Sequence, residues 1–166
     1  PTLKTLLNSL IQVLNLSITP NLEDSISIKI PNPYSFEDLK KVSDKLHKVF
    51  SQTLLHEDIN GKVEIVNFDS GSYWIDILVG NKEAIALVGG LSYSAAIIFK
   101  NIMEGLHFGK KMQQINASKE VKEEVNLKLK EDRISLTELE AKYIYDKYYK
   151  SNDNEQIQRI KLALTE

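Results

Sequence analysis

Three histidines, a short acidic-serine loop and a knot of tyrosines are the residues of this chain that could do chemistry. His47, His56 and His107 are scattered. None stands four residues from another and none sits in a His-Glu-x-x-His pattern, so no pair shares a helix face that could grip a metal. Asp69-Ser70-Gly71-Ser72 sets a carboxylate beside two hydroxyls, and Asp76 follows closely. A nucleophilic serine needs a base, and no matching His or Lys motif accompanies it. The same four residues are good turn formers, which is the simpler reading. An enzyme built on Asp69, Ser72 and Asp76 is an alternative that requires a concave pocket and a perturbed carboxylate there. Neither Gly-x-Gly-x-x-Gly nor Gly-Lys-Ser/Thr occurs, so no phosphate-cradling loop is expected. No catalytic residue is assigned, and no cofactor or metal is expected.

Tyr143, Tyr145, Tyr148 and Tyr149 crowd one short segment. Such clusters stack on bases or form partner surfaces. Here Lys142, Asp146, Lys147 and Lys150 are interleaved with them, and packing against the domain with hydroxyls reaching water is the expectation. Over the 166 residues, 21 Lys and Arg face 23 Asp and Glu, which lacks the basic excess that drives phosphate-backbone binding. Nucleic acid is therefore disfavoured as a partner. The absence of cysteine excludes disulfides, thiol nucleophiles and thiolate metal sites. With 42% hydrophobic and 27% charged residues the composition is that of a globular protein with a core of its own. No secretory pattern is visible, and a cytoplasmic location is expected.

The elements that must position these residues follow from periodicity. Leu3, Leu6, Leu7, Leu10, Val13 and Leu14 recur at helical steps, and that helix should stop before Pro20. Ser25 to Ile30 alternates, aligning Ile26, Ile28 and Ile30 on one face of a strand that Pro31 and Pro33 end. Ser35 with Asp38 resembles a capping box opening a helix that carries Phe36, Leu39, Val42, Leu46, Val49, Phe50 and Leu54. Asn60-Gly61 makes a turn into a strand from Lys62, and the Asp69-Ser70-Gly71 loop joins it to a second strand, Tyr73 to Val79. A long apolar helix follows from Lys82 to about Leu106.

The predicted order α-β-α-β-β-α gives an α+β fold: a small, mostly antiparallel sheet of about three strands with helices packed on it, as a split βαβ or ferredoxin-like layer. Residues 1–109 form this core domain. Residues 110–166, richer in Lys, Glu, Asn and Gln, form a helical extension that is expected to continue past Glu166. Within it, Ser135 with Glu138 resembles a second capping box, opening a helix from Leu136 to about Tyr149. A last helix carries Ile157, Ile160 and Leu164.

Two surfaces merit attention. Ala84 to Phe99 is apolar on nearly every side, which places it in a core or in lipid. Its 16 residues fall short of the roughly 20 needed to cross a bilayer. Ala86, Gly90 and Ser94 put small residues at four-residue steps, where another backbone can come close. A buried core helix is the first reading, and a membrane-active segment or an oligomer interface the alternatives. On the hairpin, strand alternation sends Tyr73, Ile75, Ile77 and Val79 to the core and Trp74, Asp76 and Leu78 to the other face, with Val66 and Phe68 beside them. Val66, Phe68, Trp74, Asp76 and Leu78 are the interaction candidates. Coverage of that face by the N- or C-terminal helices is the competing reading.

Phe68-Asp69-Ser70-Gly71-Ser72-Tyr73-Trp74-Ile75-Asp76-Ile77 and the apolar helix after it resemble a D-x-G-S-x-W-x-D-I signature in a family of uncharacterised bacterial proteins. Glu140-Ala141 with Ile144, Tyr148 or Tyr149, then Glu155 and Arg159-Ile160-Lys161, resemble a second signature downstream in the same proteins. The resemblance implies a bacterial origin and carries no activity. The second motif has a possible structural cause, a pairing of Glu140 with Arg159 across a helical hairpin. The functional expectation is a non-enzymatic protein-interaction or self-assembly module. A membrane-acting effector using residues 84–99 is the alternative, and an enzyme at the 69–76 hairpin a second one.

Overall fold

The computed structural model describes residues 24–69, 73–114 and 118–166, with the side chains of Phe68 and Asp69 excepted. The expected helix over Leu3–Leu14 and the loop residues Ser70, Gly71 and Ser72 lie outside the described residues. The elements are β1 (Ser25–Lys29), α1 (Phe36–Thr53), β2 (Glu64–Asp69), β3 (Trp74–Leu78), α2 (Lys82–Gln114), α3 (Lys119–Tyr148) and α4 (Asn154–Ala163). The fold is α+β, with one antiparallel sheet in the order β1-β3-β2. Because β3 is antiparallel to both neighbours, β1 and β2 run parallel, and β1-α1-β2 is a split βαβ unit.

Local signals set the early elements. Ser35 is extended (φ −151°), and its Oγ accepts the Asp38 N–H at 3.1 Å, starting α1. The helix ends at Thr53, and a few residues on the chain reverses through Asn60, at φ 49°, and Gly61. The Gly61 N–H donates to the Leu54 carbonyl at 3.0 Å, and a Cβ there would stand 2.8 Å from that oxygen, so only glycine fits. Asn81 then caps α2. Its Oδ1 accepts the Ala84 N–H at 2.7 Å, while its Nδ2 donates to the Ile59 and Asn60 carbonyls, tying the helix start to the α1–β2 turn.

One face of the sheet holds the core. Ile75, Ile77 and Val79 are buried, with Ile26 and Ile28 packed beside them. Phe50 and Leu54 from the α1 end, and Ala84, Leu87 and Leu91 from α2, close over this face. Ala141, Ile144 and Tyr145 of α3 and Ile160 of α4 belong to the same cluster. The boundary expected at Gly109 therefore falls inside α2, and the C-terminal helices complete the core instead of leaning on it. At the edge, Ile65 pairs with buried Ile77 yet stays 68% exposed, because the helices do not reach over β2.

Two helices are longer than their sequence signals. α2 runs to Gln114, past Gly105 and Gly109, because α3 packs alongside: a Cβ at Gly105 would meet Leu129 at 3.5 Å. α3 passes unbroken through Ser135, which is exposed. Its N-cap is Ser118, whose Oγ accepts the Val121 N–H. The capping box read at Ser135 and Glu138 is thus not a helix start; a solvated serine need not turn its hydroxyl on the backbone. Glu140 and Arg159 do not pair either. Glu140 accepts the Ser94 hydroxyl at 2.6 Å, Arg159 bonds Glu155 one turn earlier, and Lys161 with Glu138 makes the link between α4 and α3.

Candidate interaction surface

The hairpin is the first of three places where side chains converge. Opposite the core, Ser27, Asp76 and Asn67 stand in one row across the sheet, and Lys29, Trp74 and Asp69 in the next. Asp76 accepts the Ser27 hydroxyl at 2.6 Å and the Asn67 amide at 3.0 Å, so its carboxylate is engaged. Trp74 is 39% exposed with the Lys29 ammonium 6.0 Å above its ring. Leu78 is half-buried, and Val66 occupies a bulge, since Ile65 pairs with Ile77 and Asn67 with Asp76. The extra residue moves Phe68 to the register of core-facing Ile75, away from Trp74. The expected apolar row over Val66, Phe68 and Trp74 is thereby broken, and a mostly polar one takes its place. The described part of α3 and α4 packs on the other side, so the C-terminal helices leave Trp74 half open. Asp76 lines neither cavity described below.

The second place surrounds His56, one of the three scattered histidines. His56, with 9% of its side chain exposed, is clamped where the α3–α4 connection meets the end of α1. Its Nδ1 accepts the Asp58 N–H at 3.2 Å, its Nε2 lies 3.8 Å from Asp153, and Tyr149 meets its ring edge-on at 5.1 Å. Asp58 receives the Ser151 and Lys150 N–H groups at 2.8 and 3.0 Å. The nearby Ser151 hydroxyl, although without a well-formed hydrogen bond of its own, and then these N–H groups hold the Asp58 carboxyl below its usual range. Tyr145 donates to the Ser151 carbonyl and accepts the Asp153 N–H. Tyr149 donates to the Thr53 carbonyl at 2.9 Å, and burial pushes its hydroxyl up to about 12. Both hydroxyls thus go to backbone and not to water, while Tyr143 is exposed. These are acid–base residue types, but each is spent on fastening one helix connection to another. No group of three His, Asp or Glu that could hold a metal occurs among the described residues. Nothing local betrays this joint in the sequence, because its two sides are over 90 residues apart.

The third is α2 itself. An 18-residue stretch of it has a mean hydropathy of 1.5, yet only 22% of that stretch is buried. Ala84, Leu87, Leu91, Ser94 and Ile98 are its buried residues, and none follows from Phe99 to Gln114. In α3 the first buried residue is Thr137. The small-residue row serves α3: a Cβ on Gly90 would stand 2.8 Å from the Tyr148 ring, and Ser94 bonds Glu140. Beyond the sheet, α2 and α3 continue as a bare antiparallel pair around a cleft of about 430 Å³ that includes Ile102, Leu129, Lys130 and Arg133. A second cleft, about 450 Å³ and mostly apolar, lies between β1, α1, α2 and α4. On the outer side of α2, Tyr93, Phe99, Met103 and Leu106 are 50–67% exposed. The expectation of an all-round buried helix is met on one side only, and the helix, expected to end at about Leu106, runs on to Gln114, 33 residues in all.

The chain is 40% identical over 88 residues to the uncharacterized protein YqaP of Bacillus subtilis (strain 168). The match takes in 53% of this chain and 28% of that protein's length. It agrees with the resemblance to uncharacterised bacterial proteins and adds no activity. No family model and no solved structure matches the chain.

Proposed function

We propose that this chain is an interaction module of a bacterial cytoplasmic protein, working through the outer face of α2. One observation carries the reading: the most apolar helix described keeps most of its greasy stretch out of the core. Water-facing Tyr93, Phe99, Met103 and Leu106 on one helix form the kind of contiguous apolar strip that soluble proteins cover with a partner. Among the described residues, Asp76, His56, Asp58 and Tyr149 are each engaged in structural bonds. Light scattering over a concentration series tests the proposal. The expected outcome is a mass that rises above 18.9 kDa as concentration increases, and that Phe99→Glu returns to the monomer value. A strict monomer that also captures no protein partner through this face rules the reading out.

A second reading rests on the same helix. At 33 residues α2 is long enough to cross a bilayer, and its hydropathy suits lipid, so a membrane-acting effector is the alternative. It requires α2 to pull Leu87 and Leu91 out of the core cluster, where both now pack. Flotation with neutral and anionic vesicles separates the two: an interaction module stays at the bottom of the gradient.

A further inference from the structure

The outer face of α2 has a finer order than exposure alone. Ile85, Gly89, Ser92, Ala96, Phe99, Met103 and Leu106 follow one another at alternating four- and three-residue steps, which is a heptad seam, and Lys110 continues it. All but half-buried Ile85 are exposed. A Cβ built on Gly89 meets nothing within 4 Å, so the groove beside it is open. Size is divided along the seam: Gly89, Ser92 and Ala96 lie in the N-terminal half, Phe99, Met103 and Leu106 in the C-terminal half.

We propose that the occupant of this seam is α2 of a second copy, packed antiparallel about a two-fold axis near Ile97 and Ile98. The inference rests on the interaction reading above and specifies its partner. In that register Phe99 falls on Ala96 of the partner copy, Met103 on Ser92 and Leu106 on Gly89. Phe99, Met103 and Leu106 each meet a small residue, Ile85 lies against the Lys110 stem, and the reciprocal contacts are supplied by symmetry. A parallel pair would set Phe99 on Phe99 and glycine on glycine, leaving the helices wedged apart at one end and gapped at the other. Charge agrees with the antiparallel choice. Lys100 comes beside the Tyr93 ring and the Glu83 end of one helix beside the Lys110–Lys111 end of the other, so the helix dipoles also oppose. The axis falls at the middle of the helix, so the two seams overlap along nearly their whole length.

The chain contains no cysteine, which makes disulfide trapping clean. A full chain carrying both Ser92→Cys and Met103→Cys should give covalent dimers under mild oxidation. Its two thiols are about 16 Å apart along one helix, too far to bond within a copy. Ser92→Cys alone should not cross-link, for the same offset separates it from its own mate. Ala96→Glu should abolish the dimer while leaving the far-UV circular dichroism unchanged. Cross-linking by Ser92→Cys alone would show a parallel pair and overturn the proposal. A dimer by light scattering that the double variant fails to trap overturns the register; the interaction reading stands if Phe99→Glu still dissociates that dimer and falls if it does not. An intrachain bond between Leu7→Cys and Ala96→Cys would seat the chain's own N-terminal stripe in the seam and equally overturn it. A monomer at about 100 µM that still captures a protein partner through this face removes the self-pairing alone; a monomer with no such partner removes both.

Discussion

The two halves of the α2–α3 hairpin continue one apolar pattern, but the far half carries more charge and has fewer neighbours. Near the sheet, Leu87, Leu91, Ser94 and Ile98 of α2 and Thr137, Ala141, Ile144 and Tyr145 of α3 are buried, and Gly90 brings the helix axes close. Beyond Ile98 the same two helices carry no buried residue, although Ile102, Leu106, Val125 and Leu129 continue the apolar pattern. Two helices with nothing packed across them gain little beyond intrinsic propensity. What separates the halves is charge together with neighbours: among the described residues, the sheet and α4 give the near half its second wall, and the far half has none.

The comparison breaks most easily at its largest contrast. Leu87→Ala, at a site with no exposure, should lose about 3 kcal/mol in urea unfolding, whereas Leu106→Ala in the far half should cost the monomer under about 1 kcal/mol. Equal losses would mean the far half is as well packed as the near one. Hydrogen exchange should rank the same way, with amides of residues 99–114 exchanging before those of residues 84–98.

Tyr149 sharpens the near half. Its folded hydroxyl titrates at about 12 against an ordinary 10.0, so the native state keeps the proton that the unfolded chain gives up. Its contribution is whole below pH 10 and falls as pH rises towards 12, by about 2 to 3 kcal/mol. Unfolding curves at pH 9 and 12 should show that decline, and Tyr149→Phe should flatten it.

The neighbouring glycines offer a smaller contrast within one turn. Gly89→Ala, in open space, should stabilise the monomer by about 0.5 to 1 kcal/mol through helix propensity. Gly90→Val should instead cost about 1 to 3 kcal/mol by pushing Tyr148 and Ile144 away. The smallest effect belongs to Asp58. Its folded carboxyl titrates below the ordinary value, so its stabilisation is present above pH 4 and disappears as pH falls through the folded pKa. Asp58→Asn should lower stability slightly near neutrality and make the acid limb of the stability profile shallower.

Sequence carried the elements whose causes are local. The Ile26-Ile28-Ile30 alternation, the Ser35 cap, the Asn60-Gly61 reversal and the inward Ile75, Ile77 and Val79 each depend on a few adjacent residues. The candidate surface was legible as an apolar stretch but not as a half-covered one, because which side of α2 meets α3 is decided by Gly90 and Ser94 contacts made about 50 residues away. His56, Asp58 and Tyr149 stayed hidden for the same reason: a fastening between distant turns leaves no period to read. The bulge escaped because Val66 looks like any strand residue, and only the pairing with β3 shows that it has no opposite number.

That bulge has a consequence for how copies of this chain meet. β2 is an edge strand with Ile65 and Val66 open to water, the arrangement that invites strand-to-strand stacking and aggregation. One surplus residue twists the rim and interrupts its row of free amides, so a second sheet finds no continuous template there. Excising Val66 should leave Phe68 across from Ile75 while straightening the rim, and the protein should then precipitate on standing where the native chain stays clear. By discouraging a strand partner at β2, a single valine closes one of the two rims of this sheet to company.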